Sequence, residues 1–446
     1  MLSTSQLFSR KKSTLEEVLE NVEYLAAPVI SHLETHIGDD GYMKASTTHS
    51  PYFASWFRDD ALVSIFLGNF SKFLSDNGET RYSMKTRKMS ASIIDFAWSC
   101  VEKYKRNLEN GARGDITSGG FLALKNHFPA RVGPEKNGFV LKNEKENIND
   151  SKETEKRSWL RQYDALALVL LATDSYMRKF GTDGLQKKTV ESLKNCVTLA
   201  ADYLINVYKT PCADAWEKDE HLIHSYTVSS IYAGLNSASD MMERLGLDGD
   251  AAGKIKERAE EVAEFLRDYF VRENKKTGKH LLYRAKEEFS KFGGFESDPI
   301  DQTDSQEMYV FSMFSPPTLS KNVETNTVRI IERERLYKSS ANALPTRYHE
   351  DRYFKGGRWF PLGSALADIL LDAGRIDDAE TIIKYISQNT KNGMIPEQEL
   401  VDPEIREDDY YIKKYDKPIS CLAWSEAAYL NNIVNYYRKV LPGVVR

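Results

Sequence analysis

The sequence has little of what marks several large protein classes. Its four cysteines lie far apart in 446 residues and form no CxxC pair, so we expect buried free thiols rather than a disulfide framework. The eight histidines show no HExxH motif or other familiar ligand spacing. The sequence therefore predicts neither a metal site nor a cofactor. The cysteines are Cys100, Cys196, Cys212 and Cys421.

Long apolar runs and a strong excess of one charge are also lacking. The longest apolar run, 165–172, is far shorter than the ~18–20 residues of a membrane span. The first residues become charged before any apolar core of signal-peptide length, so we expect a cytoplasmic protein, with unconventional export left open. The formal net charge of −5 argues against nucleic acid or an anionic membrane as the main partner. The oligomeric state is not indicated.

Helical periodicity dominates what is present. Strand-like alternation is confined to 279–284, where a short hairpin is expected. Twelve stretches carry apolar residues at helical spacing, and their boundaries are predicted to within a few residues. They are 14–34, 55–76, 83–108, 159–180, 187–208, 221–246, 249–273, 301–315, 321–337, 358–374, 376–390 and 420–440.

About twelve helices joined by loops of unequal length predict an all-α fold, an (α/α)6 toroid of six helical hairpins around an axis. An open α-solenoid would need a repeat of fixed period, and the sequence has none. The polar segment 130–157 is expected to be a mobile insertion rather than a linker between domains. We therefore expect a single catalytic domain over residues 1–446.

Two acids far apart in the chain are candidates for chemistry. Glu217 directly follows Trp216, where desolvation would raise its pKa and suit a general acid. A surface acid beside a core tryptophan gives the same pattern, and on this segment alone that interpretation is favoured. Glu397 lies downstream beside Gln398. Two carboxylates facing each other across a cleft are what cleavage of a glycosidic bond requires.

The tryptophans provide a second indication. Trp98 lies in the middle of a predicted helix and is expected in the core, but the other five stand at loop–helix junctions among polar or glycine-rich neighbours. Aromatic rings stack on the apolar face of a sugar while charged groups bind its hydroxyls, so this placement favours a sugar site. The five candidates are Trp56, Trp159, Trp216, Trp359 and Trp424.

Charged residues near these tryptophans have two interpretations each. Arg58 and Asp59 could bind sugar hydroxyls, or Asp59 could simply interact with the dipole of the helix that begins there. Arg347 lies in a long irregular loop, where it could anchor a sugar ring or pair with Glu350 or Asp351. The sequence alone favours the pairing.

Seven short motifs follow one another along the chain. They are Trp-Phe-Arg-Asp at 56–59, Gln-Tyr-Asp at 162–164, Asp-Ala-Trp-Glu at 214–217, Arg-Tyr-His-Glu-Asp at 347–351, Gly-Gly-Arg-Trp at 356–359, Pro-Glu-Gln at 396–398 and Leu-Ala-Trp-Ser-Glu-Ala at 422–427. In this order, they resemble the motifs of the glucoamylase family of glycoside hydrolases. The resemblance extends from about residue 40 to residue 435, and the motifs are specific jointly rather than singly.

The resemblance implies an (α/α)6 barrel and an exo-acting, inverting hydrolase that releases β-glucose from the non-reducing ends of α-linked gluco-oligosaccharides. It makes Glu217 the general acid and Glu397 the general base. Arg58 and Asp59 match residues that bind the terminal glucose, and Arg347 matches a further sugar-binding arginine. If the mechanism inverts, the two carboxyls should lie roughly 6.5–9.5 Å apart.

Several alternatives stay open. Lys218 follows the acid where many family members have a second Glu, so the linkage could be α-1,4, α-1,6 or, as in trehalose, α,α-1,1. A non-catalytic, sugar-binding or regulatory barrel is a second class, although the presence of both acids argues against it. A sugar epimerase would typically need paired histidines, and His224 and His349 show no obvious pairing.

Overall fold

The structure is a computed structural model in which the chain is mostly helical. It describes residues 14–48, 52–114, 127–133, 161–274, 278–287, 304–335, 344–348, 351, 353–400, 412 and 417–445. The helices are α1 Leu15–His36, α2 Phe57–Asp76, α3 Arg81–Lys103, α4 Lys105–Ala112, α5 Asp164–Phe180, α6 Lys187–Val207, α7 Ser225–Arg244, α8 Gly249–Phe270, α9 Glu307–Tyr309, α10 Lys321–Arg335, α11 Phe360–Asp372, α12 Ile376–Gln388 and α13 Ala423–Val440.

Six of these helices form a closed inner ring. Each packs against the next in the order α2, α5, α7, α9, α11 and α13, and α13 packs against α2 again. Outer helices lie against the ring: α3 on α2, α8 on α7, α12 on α11 and α1 on α13. The predicted (α/α)6 fold is therefore confirmed.

The two layers differ in the pattern of their buried residues. In the inner helix α2, burial is continuous from Phe57 to Gly68, as expected for a helix surrounded by others. In the outer helix α8, burial recurs every three or four residues, at Ala252, Ile255, Ala259 and Val262, so a single face is covered. The sequence pattern thus determines the layer to which each helix belongs.

Short antiparallel strand pairs tie the connecting loops together. β1 (Ser55–Trp56) pairs with β2 (Arg131–Val132), and β3 (Leu222–His224) pairs with β6 (Ala285–Glu287). The predicted hairpin is found as β4 (Val271–Asn274) paired with β5 (Lys279–Leu282), and so it starts earlier than expected and ends α8 at Phe270. β7 (Arg358–Trp359) pairs with β8 (Gln398–Glu399).

Three predicted helix boundaries were wrong. The helix expected at 83–108 is interrupted at Tyr104, whose ψ of 13° leaves the helical region, and α4 follows it. The helix expected at 301–315 is only α9 followed by a π-helical turn, Val310–Phe314, because the carboxylate of Asp304 accepts the backbone N–H of Gln306 at 2.9 Å and so closes a turn before the helix. The helix expected from 159 begins at Asp164.

The insertion predicted at 130–157 also needs correction at its start. Ala130 is buried and residues 131–132 form β2 against β1, so this part belongs to the folded body. Residues 134–157 and Trp159 lie outside the described residues.

Two expectations from composition can be checked directly. All four cysteines fall within the described residues, and all are buried and free, as predicted. Within the described ranges, no helix combines the length and the apolar character needed to cross a membrane.

Candidate active site

A cavity of about 350 Å³ opens at the end of the barrel where inner helices begin. Trp56 directly precedes α2, Trp359 directly precedes α11, and Trp424 lies in the first turn of α13. The lining residues are Tyr52, Trp56, Arg58, Asp59, Arg131, Ala215, Trp216, Glu217, Lys218, Arg347, Tyr353, Trp359, Glu397, Leu422 and Trp424.

The structure brings the predicted site residues together. Glu217 and Glu397 line the same cavity although 180 positions separate them in the sequence (397 − 217). Every other candidate lines it as well, except Trp159, which lies outside the described residues. Trp98, expected in the core, is fully buried and donates from its indole N–H to Thr173 Oγ1 at 2.8 Å.

A second cavity, of about 240 Å³, lies among α2, α5, α11 and α13. The half-buried carboxylate of Asp368 accepts hydrogen bonds there from the amides of Asn431, Asn432 and Asn435 at 2.8–3.0 Å. The carboxylate of Asp372 also lines this cavity, and burial together with the charge of Asp372 raises the pKa of Asp368 to about 6. None of the predicted site residues that the structure describes lines this second cavity, so the first cavity is the candidate active site.

Glu217 is held in an uncommon backbone conformation. Its φ is +62°, in the left-handed region that non-glycine residues rarely adopt. The turn is fixed by Asp214, whose side chain accepts the backbone N–H groups of Trp216 at 2.8 Å and Lys218 at 3.0 Å. Such strain persists only where the surroundings impose it, and it is concentrated at functional sites.

One buried arginine organises the acids beneath this turn. Arg284 forms ion pairs with Asp214, Asp219 and Asp304. Although burial raises the pKa of Asp214, the neighbouring Arg284 guanidinium outweighs it and holds that pKa below its usual range. Asp304 in turn accepts the indole N–H of Trp216 at 2.9 Å. The loop with Glu217 is thus anchored on both sides of that residue.

The carboxyl of Glu217 is oriented from another part of the barrel. Trp56, at the start of α2, donates its indole N–H to Glu217 Oε1 at 2.8 Å. A hydrogen bond of this length fixes the direction in which the carboxyl group points. Trp56 therefore positions Glu217, in addition to any contact with a sugar.

Glu397 is buried between two tyrosines. The hydroxyls of Tyr52 and Tyr353 lie 3.4 Å from its Oε1 and Oε2, respectively, and they hydrogen-bond to each other. Burial raises the pKa of Glu397 to about 8, against the opposing effects of Arg347 and the two hydroxyls. The sequence did not predict this shift, because the segment around Pro396 resembles an ordinary polar loop.

Sequence reasoning missed both tyrosines. Tyr52 and Tyr353 belong to none of the motifs, and in a chain with 24 tyrosines their residue type carries no signal. The available signal is position, since Tyr52 stands four residues before Trp56 and Tyr353 stands in the loop between Asp351 and Gly356. Both positions precede segments that enter the cavity.

Arg58 and Asp59 form a polar wall of the cavity. Arg58 donates to Gln162 Oε1 at 2.9 Å and to Asp164 Oδ2 at 3.3 Å, which fixes its guanidinium. Its Nε is buried and has no hydrogen-bond partner among the described residues. Burial raises the pKa of Asp59 to about 6, partly offset by Arg58. Both groups have hydrogen-bonding capacity that a ligand hydroxyl could use.

Arg347 combines the two interpretations that the sequence allowed. It forms a bidentate pair with Asp351, with both distances 2.7 Å, as the sequence favoured. Its guanidinium also lies 4.8 Å from the ring centre of Trp359 and 5.2 Å from that of Trp216. The pairing therefore holds the arginine in the cavity wall rather than removing it from the site.

Lys218 lies in the cavity next to Glu217. Its ammonium group contacts the hydroxyl of Tyr348 and lies 4.9 Å from the centre of that ring. Burial and the charge of Arg347 lower the pKa of Lys218. A cation therefore occupies the position immediately after the candidate acid.

The sequence profile of glycosyl hydrolases family 15 matches residues 127–391, which is more than half of the chain. No curated protein matches the sequence at a significant level.

Solved structures match the fold closely at low sequence identity. The match to a glycosidase variant in complex with glucose covers 100% of this chain and 100% of that protein, with a TM-score of 0.71 and 17% identity. A wild-type glycosidase matches over the same extent, with a TM-score of 0.70 and 17% identity. The match to a family 15 glucoamylase from Hypocrea jecorina covers 96% of this chain and 73% of that protein, with a TM-score of 0.57 and 15% identity. At these identities the likeness shows the fold.

Proposed function

The chain belongs to the glycosyl hydrolases of family 15, and we propose that it is an exo-acting, inverting α-glucosidase that releases β-glucose from the non-reducing ends of α-linked gluco-oligosaccharides. The observation that carries this proposal is the pair Glu217 and Glu397, two carboxyls that line one cavity. No hydrogen bond joins them among the described residues. Space between two such groups is what an inverting mechanism requires.

In the proposed reaction, Glu217 donates its proton to the glycosidic oxygen as the bond to the leaving sugar breaks. Glu397 accepts a proton from a water molecule, whose oxygen attacks the anomeric carbon from the opposite face. This single displacement converts an α-glucoside into β-glucose. Glu217 ends ionised and Glu397 ends protonated, so one proton must return through solvent before the next turnover.

The side chains between the acids support a wide separation. Trp56 binds Glu217, Tyr52 contacts Glu397, and the centres of these two rings lie 5.7 Å apart. The two carboxyls are thus held by different aromatic residues rather than by each other. We expect a separation of roughly 6.5–9.5 Å, whereas about 5–5.5 Å would favour a retaining mechanism.

The exo-action rests on the polar wall formed by Arg58 and Asp59. Arg58 is fixed by Gln162 and Asp164, at the start of the inner helix α5. Both residues retain hydrogen-bonding capacity toward the cavity, so the terminal glucose would bind there through its hydroxyls. Trp56, Trp216, Trp359 and Trp424 offer apolar surface for its ring.

The proposal is tested by following glucose release from maltose, maltotriose, isomaltose and trehalose, with the anomer identified by proton NMR before mutarotation. We expect β-glucose as the first product. Glu217→Gln and Glu397→Gln should each lose nearly all activity while remaining folded. Glu399→Gln is the matched control, because that carboxyl binds Tyr385 at 2.6 Å and does not line the cavity.

Each alternative predicts a different result. Release of α-glucose would contradict inversion, and normal rates in Glu217→Gln would remove Glu217 from the acid role. Binding of glucosides without any hydrolysis would identify a non-catalytic sugar-binding barrel. The substrate series decides the linkage, which Lys218 leaves open.

A further inference from the structure

Four side chains able to bind a metal meet where the first and last long helices pack together. His32 and His36 lie one turn apart at the end of α1, Cys421 lies two residues before α13, and Glu426 lies in the first turn of α13. One ligand atom from each residue lies within 4.8 Å of the other three. We refer to these four residues as the α1–α13 cluster.

The imidazole of His36 is already arranged as a ligand. Its Nδ1 lies 2.8 Å from the carbonyl oxygen of Lys44 and donates to it, so Nε2 is the ring nitrogen that faces the cluster. A histidine ligand commonly donates its other ring N–H to a carbonyl in this way. His36 is 1% exposed, and its Nε2 has no hydrogen-bond partner among the described residues.

The other three side chains are also close enough. His32 Nδ1 lies 2.9 Å from Glu426 Oε1, and His36 Nε2 lies 3.7 Å from Glu426 Oε2. Zinc–ligand bonds of about 2.0–2.3 Å in a tetrahedron place the ligand atoms roughly 3.3–3.8 Å apart. The ligand atoms lie within 4.8 Å of one another, so the side chains would need to move by about an ångström at most to surround an ion.

We propose that the α1–α13 cluster is a structural Zn²⁺ site with His32 Nδ1, His36 Nε2, Cys421 Sγ and one Glu426 oxygen as its four ligands. One thiolate, two imidazoles and a carboxylate form a donor set suited to Zn²⁺ rather than to Ca²⁺ or Mg²⁺, which prefer oxygen ligands. Four protein ligands leave no open position, as in structural rather than catalytic zinc sites.

Charge balance supports the assignment. Glu426 is fully buried and Cys421 is buried beside it, so an ionised carboxylate and thiolate would place two negative charges out of water. A bound Zn²⁺ has the charge that neutralises both. Binding a thiol and a neutral imidazole releases the thiol proton to solvent, and no oxidation or reduction is involved.

The cluster lies directly behind the wall that holds Glu397. Glu426 Oε1 is 3.5 Å from the backbone N of Ile395, and the N–H of Leu422 donates to the carbonyl of Ile395 at 2.9 Å. Ser425 Oγ donates to the carbonyl of Pro396 at 2.7 Å. The ion would thus join α1 to α13 and stabilise the segment that leads to Glu397, without touching the reacting atoms.

No sequence motif predicted this site, and the expectation was that the chain binds no metal. The signal that was available is the spacing of His32 and His36, which places both rings on one face of a helix. The remaining two ligands lie 385 and 390 positions after His36 (421 − 36 and 426 − 36), so no local motif contains all four.

The first test is the metal content of the full-length, tag-free protein, measured by inductively coupled plasma mass spectrometry after exhaustive dialysis. We expect about one zinc per chain in the wild type. His36→Gln and Cys421→Ala should reduce this at least about tenfold. Cys196→Ala is the matched control, because Cys196 is also buried and free but lies outside the cluster, and it should retain the zinc.

A second measurement does not depend on the folding of variants. Removing zinc from the wild type with a chelator should lower its melting temperature by several degrees, and adding Zn²⁺ back should restore it. Co²⁺ added to the metal-free protein should give the charge-transfer absorption of a cobalt–thiolate bond. Wild-type protein that contains no zinc, shows no such absorption and melts identically with and without Zn²⁺ would overturn the proposal. The cluster would then be a hydrogen-bonded network only.

Discussion

The indole nitrogen of Trp56 lies 2.8 Å from Oε1 of Glu217, so a residue at the start of α2 orients a carboxyl carried by the loop before β3. The backbone of Glu217 is itself in the left-handed region, with a φ of +62°. Orientation of this carboxyl therefore depends on two independent constraints. Replacing Trp56 tests the hydrogen bond to Glu217 separately from the stability of the fold.

Trp56→Phe retains an aromatic ring but removes the donor to Glu217. Removing one partner of a partly buried hydrogen bond costs about 1–3 kcal/mol, so we expect kcat/KM to fall roughly 5- to 100-fold. The acid is misplaced rather than removed, and some activity should remain, unlike in Glu217→Gln. Initial rates of glucose release at several substrate concentrations measure the effect.

Trp98→Phe is the matched control for this change. Trp98 also donates at 2.8 Å, to Thr173, but it is in the core and does not line the cavity. This variant should melt at a lower temperature yet keep the wild-type kcat/KM. Equal losses of activity in the two variants would show that the effect comes from the fold and not from Glu217.

The second prediction concerns pH. Burial raises the pKa of Glu397 to about 8, and a general base acts only in its ionised form. The rate should therefore rise with pH on the acid side of the profile of kcat/KM. In Tyr353→Phe, a hydroxyl that favours the carboxylate is lost, so the pKa of Glu397 should increase and the acid limb should move to higher pH.

The pH profiles of wild type and Tyr353→Phe, measured between about pH 4 and 10 in one mixed buffer, check this prediction. Tyr203→Phe serves as a control, because Tyr203 is a buried tyrosine whose hydroxyl contacts His127 away from the cavity. An acid limb that stays in place in Tyr353→Phe, or moves to lower pH, would contradict the assignment of Glu397 as the base.

The third prediction follows from the same carboxyl but concerns stability. The pKa of Glu397 in the folded protein is about 8, above its ordinary value of 4.5, so the folded state binds a proton more tightly than the unfolded state does. Stability from this group is fully present below about pH 4.5 and is lost as pH rises through about 8. Ionised Glu397 therefore destabilises the fold at high pH.

Glu397→Gln has no charge to bury at any pH. The free energy of unfolding of this variant minus that of the wild type should therefore grow between about pH 4.5 and pH 8, by an amount on the order of a few kcal/mol. Urea unfolding at pH 5 and pH 9 measures the difference. A gap between the two proteins that is the same at both pH values would show that burial does not shift this carboxyl.

The sequence correctly predicts those features of the fold that depend on local residue patterns. Continuous burial in α2 and one-sided burial in α8 follow from the spacing of their apolar residues, and this spacing led to the correct fold. Glu217 and Glu397 were identified because each sits in a recognisable motif. The cavity that joins them could only be inferred from the resemblance to a family.

What the sequence could not show depends on contacts between distant segments. Tyr52 and Tyr353 become partners of Glu397 only because the barrel closes, and nothing in their own neighbours distinguishes them. The same is true of His32 and Cys421, which meet through the packing of α1 on α13. The late start of α9 follows Asp304, whose carboxylate is also held by Arg284 and Trp216 from distant parts of the chain.

The last prediction concerns Lys218, the cation beside the candidate acid. Because Glu217 would protonate the oxygen of the leaving sugar, its neighbour in the cavity should lie on the reducing side of the bond that breaks. Lys218→Met keeps the length of the side chain and removes its charge. We expect kcat/KM to fall several-fold on maltotriose but to change less than about twofold on an aryl α-glucoside, which has no second sugar.

Lys209→Met is the control for removing a lysine that faces an aromatic ring. Lys209 lies 5.0 Å from the centre of Tyr208, close to the 4.9 Å between Lys218 and Tyr348, but it is exposed and does not line the cavity. Its loss should leave both substrates unaffected. If Lys218→Met lowered kcat/KM equally on maltotriose and on the aryl glucoside, Lys218 would act on Glu217 or on the turn that carries it. The preference for linkage would then have to come from elsewhere in the cavity.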